Sequence, residues 1–292
     1  MRLVTFDRQG LPAVGVLTAE GEVVDLGFVM DRPPRSVRAL LAGGEEALEA
    51  VRRAAADAPE TARSDLGSVG LLPPVHDPGK VLCLGLNYAA HAAESGHEPP
   101  EHPAVFMRSR TSLVGHGRPI LRPRLSRQLD FEGELAVVIG RTARHVPEEE
   151  ALAHVAGYAC FDDASVRDVQ YWTGQWTLGK NFDATGGFGP CLTTADEVPP
   201  GAAGLRITTR VDGRVMQDAT TSDMLFSVPV IVSLLSEICT LEPGDVIVTG
   251  TPPGVGKART PPVWLEPGNV VEVEIEGVGL LMNRVADEGG EG

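Results

Sequence analysis

No apolar run in this 292-residue chain approaches the ~20 residues that a membrane-spanning helix needs. Its first ten residues, MRLVTFDRQG, lack the apolar core of a secretory signal. The expectation from these two absences is a cytoplasmic protein with no membrane partner. Positive charge is also short: 25 Lys and Arg stand against 40 Asp and Glu, a net charge of −15 at neutral pH. A surface of that sign repels phosphate backbones and anionic lipid, so nucleic acid is not an expected partner. Cysteine is scarce too, with Cys83, Cys160, Cys191 and Cys239 far apart and no CxxC pair. That spacing indicates neither a zinc ribbon nor a disulfide framework, and buried structural thiols are expected instead.

What is present is a chain 42% hydrophobic and long enough to bury a large core. Short strand-like runs open it, RLVTF, AVGVLT and EVVDL, followed by an alanine-rich helical stretch from about Ser36 to Ala56. The prolines of LLPPVHDPGK mark a boundary. Beyond them strands dominate, in KVLCLG, GELAVVIG, GYACF, LRITTRVDG, DVIVTG and VVEVEIEGVGLL, with YAAHAAES and VPVIVSLLSEI as the best helices. With 34 Gly and 23 Pro punctuating short strands, the pattern predicts a β-rich α+β protein and not a parallel βαβ array. The expected division is a small N-terminal α/β domain over 1–72, a catalytic domain over 75–285, and a disordered acidic tail over 286–292. No internal repeat is present.

The stretch LDFEGELAVVIG puts Asp130, Glu132 and Glu134 at alternate positions, which in an extended chain share one face. A solvated strand face is the ordinary fate of such acids. Against it, Glu134 opens directly into an apolar run, and a buried carboxylate needs a counter-charge. A hard divalent cation is the simplest one, with Asp162 or Asp163 of CFDDASVRD as a further oxygen ligand. TGTPPGVGKA resembles the end of a phosphate-binding loop, but Thr251 replaces its first Gly and Ala258 its final Ser or Thr, so nucleotide binding is set aside. In LGLNYAAHAAESG, His91 and Glu94 lie three apart on a helix and can touch, the arrangement of a carboxylate-held general base. Lys180, among Trp176, Leu178 and Phe182, is expected to be partly buried.

The ordered blocks GLNYAAHAAE, PAVFMRSRTSLVG, LDFEGELAVVIGR, FDDASVRDVQ, WTLGKNFD, FGP, LEPGDVIVTGTPPGVG and VEVEIEGVGLLMN resemble the fumarylacetoacetate hydrolase (FAH) family over about Lys80 to Asn283. The resemblance implies a mixed β-sandwich roll behind a small N-terminal domain, assembled as a homodimer. It implies one divalent cation per chain, Mg2+ or Mn2+ with Ca2+ also within the family's range, held by Glu132, Glu134 and Asp163. The Arg167-Asp168 ending of the later block selects Asp163 over Asp162 and leaves Asp130 as a supporting group. His91 and Glu94 match a water-activating dyad on a mobile lid, and Lys180 matches a basic residue that stabilises an oxyanion. Thr251, Gln170 and Arg108 are the implied substrate contacts.

The implied activity is metal-dependent hydrolysis of a C–C bond in an acylpyruvate or related diketo acid of the fumarylpyruvate or fumarylacetoacetate kind. The alternative is tautomerisation or decarboxylation of a dicarboxylic 2-keto or 2-hydroxydienoic acid, of 2-hydroxyhepta-2,4-diene-1,7-dioate or oxaloacetate type, as in aromatic-acid catabolism. Two departures bear on specificity. Gly187 stands where many relatives have Pro, suggesting a looser loop or a closer approach to ligand, and Arg108 stands where Lys is common.

Overall fold

The computed structural model describes residues 1–290. A long twisted sheet runs in the order Arg63–Asp65, Glu22–Asp25, Leu11–Leu17, Arg2–Arg8, Gly186–Thr194, Val155–Asp163, Gly133–Ile139, Val246–Val248, Val81–Gly85 and Ala104–Met107. A second sheet runs Arg214–Thr220, Arg206–Val211, Val270–Ile275, Gly279–Asp287 and Ile120–Arg122. These mixed sheets form the expected sandwich.

Alternation along one strand shows how the layers close. In Gly133–Ile139, Leu135, Val137 and Ile139 meet Ile207, Val273, Ile275 and Leu281 of the second sheet. The helix Val228–Ile238 seals this layer with Val228, Ile231, Val232 and Leu235. Ala136 and Val138 point the other way, into a core shared with Ala159, Phe161, Val37, Leu40, Leu41 and Val51. Because each face feeds a separate core, the segment LAVVI reads as an unbroken apolar run. Each fully buried aliphatic side chain here contributes about 1.5–3 kcal/mol by leaving water.

The alanine-rich stretch is two helices, Val37–Ala42 and Gly44–Ala56, where one was expected. Ser36 caps the first by accepting from the Ala39 amide at 3.1 Å. Gly44 takes a left-handed φ of 69°, which only a residue without a Cβ adopts at little strain, so the helix ends there. The 1–72 segment adds its strands to the edge of the long sheet, pairing Arg2 with Thr193 and Leu3 with Leu192. At the other terminus the expected tail begins later than 286. The last strand runs to Asp287, whose carboxylate accepts from Arg122 Nε at 2.8 Å, and residues 291–292 lie outside the described residues.

Candidate metal centre and active site

The cross-strand register of Gly133–Ile139 with Val155–Asp163 pairs Glu134 with Phe161 and Gly133 with Asp162. The Asp163 amide donates to the Glu132 carbonyl at 2.8 Å, which carries the pairing one residue further. Phe161 and Asp163 therefore project to the same face, the one under the helices, together with Glu134. One oxygen from each of Glu132, Glu134 and Asp163 falls within 4.8 Å of the others, and all three residues are buried. Asp162 projects to the opposite face, where one oxygen accepts from the Glu132 amide at 2.8 Å. Among the described residues its other oxygen has no partner, and burial pushes the carboxyl up to about 7. Pleating thus separates two adjacent aspartates that their spacing in sequence could not distinguish.

Asp130 does not share the face of the other acids. The chain leaves strand geometry at Phe131 and Glu132, and Asp130 turns toward Arg167 Nε at 2.8 Å and the amides of Gly256 and Lys257 at 2.7 and 3.0 Å. It supports Arg167, whose Nη2 reaches Glu132 at 2.5 Å. Lys180 Nζ lies 2.5 Å from both Glu132 Oε2 and Asp163 Oδ2, and Arg108 Nε donates to Asp163 Oδ1. Burial alone would raise the Glu132 carboxyl, but the Arg167 and Lys180 charges outweigh it and hold the group well below the ordinary range. Glu134 goes the other way. Burial first, then the charges of Asp163 and Glu132, push it well above its ordinary value.

Among the described residues no cation lies within ion-pair distance of Glu134, which receives only the Gly250 amide at 2.6 Å. A buried carboxyl short of counter-charge, beside two carboxylates with exclusively hard oxygen donors, fits Mg2+ or Mn2+. Lys180 shares two of these carboxylates with any ion bound there.

His91, Lys180, Gln170 and Thr251 line the same cavity as the three carboxylates. His91 sits on the helix Ala89–Glu94, with Nδ1 2.8 Å from Glu94 Oε1. Glu94 is held in turn by the Gly254 amide, at 3.1 and 2.9 Å to its two oxygens. Asn87 fixes the approach to this helix, donating to the Thr249 carbonyl at 2.7 Å and accepting from the Phe226 amide at 2.7 Å. Thr251 donates to the Gly133 carbonyl at 3.0 Å and accepts from Gln217 Nε2 at 2.7 Å. Lys180 is buried as expected, beneath the Phe106 ring at 5.1 Å, whereas Leu178 is half exposed.

Two expectations require correction. Arg108 is not among the cavity-lining residues: it is buried, and spends its remaining donors on Ala164, Ser112 and Thr185, so its role is to hold Asp163. Gly187 lies inside the strand Gly186–Thr194, not in a loose loop. A Cβ there would stand 2.9 Å from Asn283 Oδ1, so packing against the second sheet explains the glycine.

Arg167, Asn87 and Gln217 were missed as site residues. Arg167 was legible in part, because a cluster of acids demands a nearby cation and SVRD supplies one next to Asp163. Gln217 joins from a distant strand and gives no local signal. Gly179 is a second tight point: a Cβ would lie 2.6 Å from the Gln170 Cα and 2.7 Å from its amide nitrogen. Gly179→Ala must therefore move either Gln170 or the adjoining Lys180. We expect a loss of about 1–3 kcal/mol in chemical denaturation, with a fall in kcat. Wild-type stability and rate would refute this packing.

Comparison with known proteins follows the same lines. A family model described as fumarylacetoacetate (FAA) hydrolase C-terminal matches residues 80–286. A rat (Rattus norvegicus) protein named as a mitochondrial oxaloacetate tautomerase is 41% identical over 290 residues, covering 98% of this chain and 91% of its own. The structure of a fumarylacetoacetate hydrolase from the psychrophile Exiguobacterium antarcticum superposes with a TM-score of 0.83 at 36% identity, covering 99% of this chain and all of that one. A maleylpyruvate hydrolase from Sphingobium sp. SYK-6, solved with manganese(II) and pyruvate, gives 0.82 at 30% identity, covering 98% and 99%.

The mitochondrial name of the rat relative overturns the cytoplasmic expectation. That expectation rested on a missing apolar leader, whereas mitochondrial transit segments are amphipathic and Arg-rich, so the missing feature had no bearing on that compartment. The match across most of the chain, the shared architecture and the clustered acids lead to one conclusion: this is an enzyme of the fumarylacetoacetate hydrolase family.

Proposed function

We propose that the protein is a divalent-metal-dependent tautomerase that interconverts the enol and keto forms of a small dicarboxylic 2-keto acid of the oxaloacetate type. This displaces C–C hydrolysis of an acylpyruvate as the first reading. The observation that carries it is the 41% identity, along nearly the whole chain, to a relative named for oxaloacetate tautomerisation. Tautomerisation moves one proton from C3 to the 2-keto oxygen and needs no water.

The residues suit that task. His91 Nδ1 is engaged by Glu94, so the neutral ring carries its hydrogen there and leaves the Nε2 lone pair free for the cavity. From that position Nε2 takes the C3 proton and returns it to oxygen. Lys180 donates to the oxygen on which negative charge develops, within a buried site where such a contact is strong. Thr251, held by Gln217 and by the Gly133 carbonyl, stands on the cavity wall where the carboxylate next to the keto group would rest. Glu132, Glu134 and Asp163 would hold Mg2+ or Mn2+, which would supply Lewis acidity for the enolisation.

Hydrolysis stays as the second reading, because the same His91–Glu94 dyad can deprotonate water and a maleylpyruvate hydrolase shares the fold. The deciding experiment follows the enol absorbance of oxaloacetate with Mg2+ present, alongside carbon–carbon cleavage of acylpyruvates. The expected result is enol–keto exchange at least about 10²-fold faster than in buffer with the same metal. Rapid acylpyruvate cleavage with no acceleration of exchange would reverse the two readings.

A further inference from the structure

The catalytic reading leaves one lysine near the cavity without a task. Lys257 ends the GVGK stretch that resembles a phosphate loop, yet the Gly256 and Lys257 amides are already taken by the Asp130 carboxylate. No phosphate cradle remains. The Lys257 side chain is exposed, and among the described residues no carboxylate pairs with it. Its Nζ instead lies 2.7 Å from Tyr171 Oη, and 4.0 Å from the centroid of that ring.

Tyr171 lines the catalytic cavity and follows Gln170, which also lines it. An ammonium only donates, so the Tyr171 oxygen is the acceptor in this contact and its own O–H hydrogen remains to be given to something else. The pair therefore presents a hydroxyl donor on the cavity wall and, against the same ring at the exposed rim, a positive charge with no carboxylate partner among the described residues. Both are anchored from behind by one network. Asp130 holds the Lys257 backbone and accepts from Arg167, and Arg167 Nη1 donates to Gln170 Oε1 at 3.0 Å. The network fixes the Lys257 backbone, and the Gln170 side chain next to Tyr171, relative to Glu132.

We propose that Tyr171 and Lys257 form a specificity subsite that receives the distal carboxylate of the substrate, the one remote from the keto group. This rests on the reading of the substrate as a dicarboxylic keto acid. The other cations of the site, Arg167, Lys180 and Arg108, are each bound to buried carboxylates, so a second anionic end of the substrate finds its counter-charge at Lys257. The subsite selects dianions over monoanions of the same length.

The test is calorimetric binding to the Mg2+-loaded protein of oxaloacetate and of its 4-ethyl ester, which differ by one charge at the distal end. The wild type should prefer the dianion, and Lys257→Met should lower that preference about 10-fold, the loss of one charge-assisted contact. Lys257→Arg should retain most of it, Tyr171→Phe should lower it in part, and added salt should weaken it in the wild type. Lys257→Met should fold normally, because the side chain is exposed and Asp130 holds only its backbone. Equal binding of the two ligands by the wild type, binding of neither, or an unchanged preference in Lys257→Met overturns the subsite. Absence of oxaloacetate tautomerisation in the wild type would instead overturn the activity, while a preference lost in Lys257→Met would still support the subsite.

Discussion

Glu134→Gln should abolish tight Mn2+ binding and reduce turnover by about 10³-fold, the several kcal/mol that a metal's polarisation of a carbonyl contributes. The amide keeps an oxygen for the Gly250 N–H and changes little in shape, so the metal-free variant should melt near the wild type. Glu132→Ala makes an instructive contrast. It strips Arg167 and Lys180 of a buried partner, and such a loss costs about 3–5 kcal/mol in stability before any metal is considered.

The pH dependence follows from the raised carboxyl of Glu134, caused by burial first and then by Asp163 and Glu132. In the metal-free protein the native state holds this proton at pH values where the unfolded chain has released it. Its contribution to stability is therefore present at low pH and lost as pH rises through the native value. A bound ion requires the carboxylate, so metal affinity rises with pH over that interval and binding releases protons. The melting-temperature difference between Mn2+-loaded and metal-free protein should widen accordingly. Unchanged Mn2+ binding in Glu134→Gln, by calorimetry or electron spin resonance, would remove the ion from this site.

Much of the site was legible because it is local. His91 and Glu94 lie one helical turn apart, and Glu132 and Glu134 flank a single glycine, so their types and spacing announce a base and a pair of ligands. What could not be read depended on backbone turns and remote partners. Asp130 has the same spacing from Glu132 as Glu134 has, yet the break at Phe131 and Glu132 turns it toward the Gly256 and Lys257 amides. Arg108 passed for a substrate contact because its position beside Lys180 and Asp163 emerges only on folding, and there its guanidinium is consumed by protein acceptors.

The fold shows the same division. Short apolar runs bounded by Gly and Pro made the strands visible, and the sheet orders depend on pairings such as Arg2 with Thr193 that no local pattern encodes. The double glycine at 43–44 was a local stop signal, and the alanine periodicity around it masked the break.

His91→Ala should slow oxaloacetate enol–keto exchange by about 10²–10⁴-fold, the contribution of a positioned general base, while Mn2+ affinity stays near that of the wild type. The two readouts separate because His91 touches Glu94 and the cavity, and carries none of the three clustered carboxylates. Glu94→Gln should fall in the same direction but less far, since the amide can still accept from Nδ1 and loses only the charge that raises ring basicity. A further consequence distinguishes proton transfer from simple binding. If His91 moves the C3 proton, wild-type exchange should slow when C3 carries deuterium, and added imidazole should restore part of the rate lost in His91→Ala by serving as the missing base. An alanine variant that retains the wild-type rate would transfer the proton chemistry to another group, with Lys180 and His97 among the basic side chains that line the cavity.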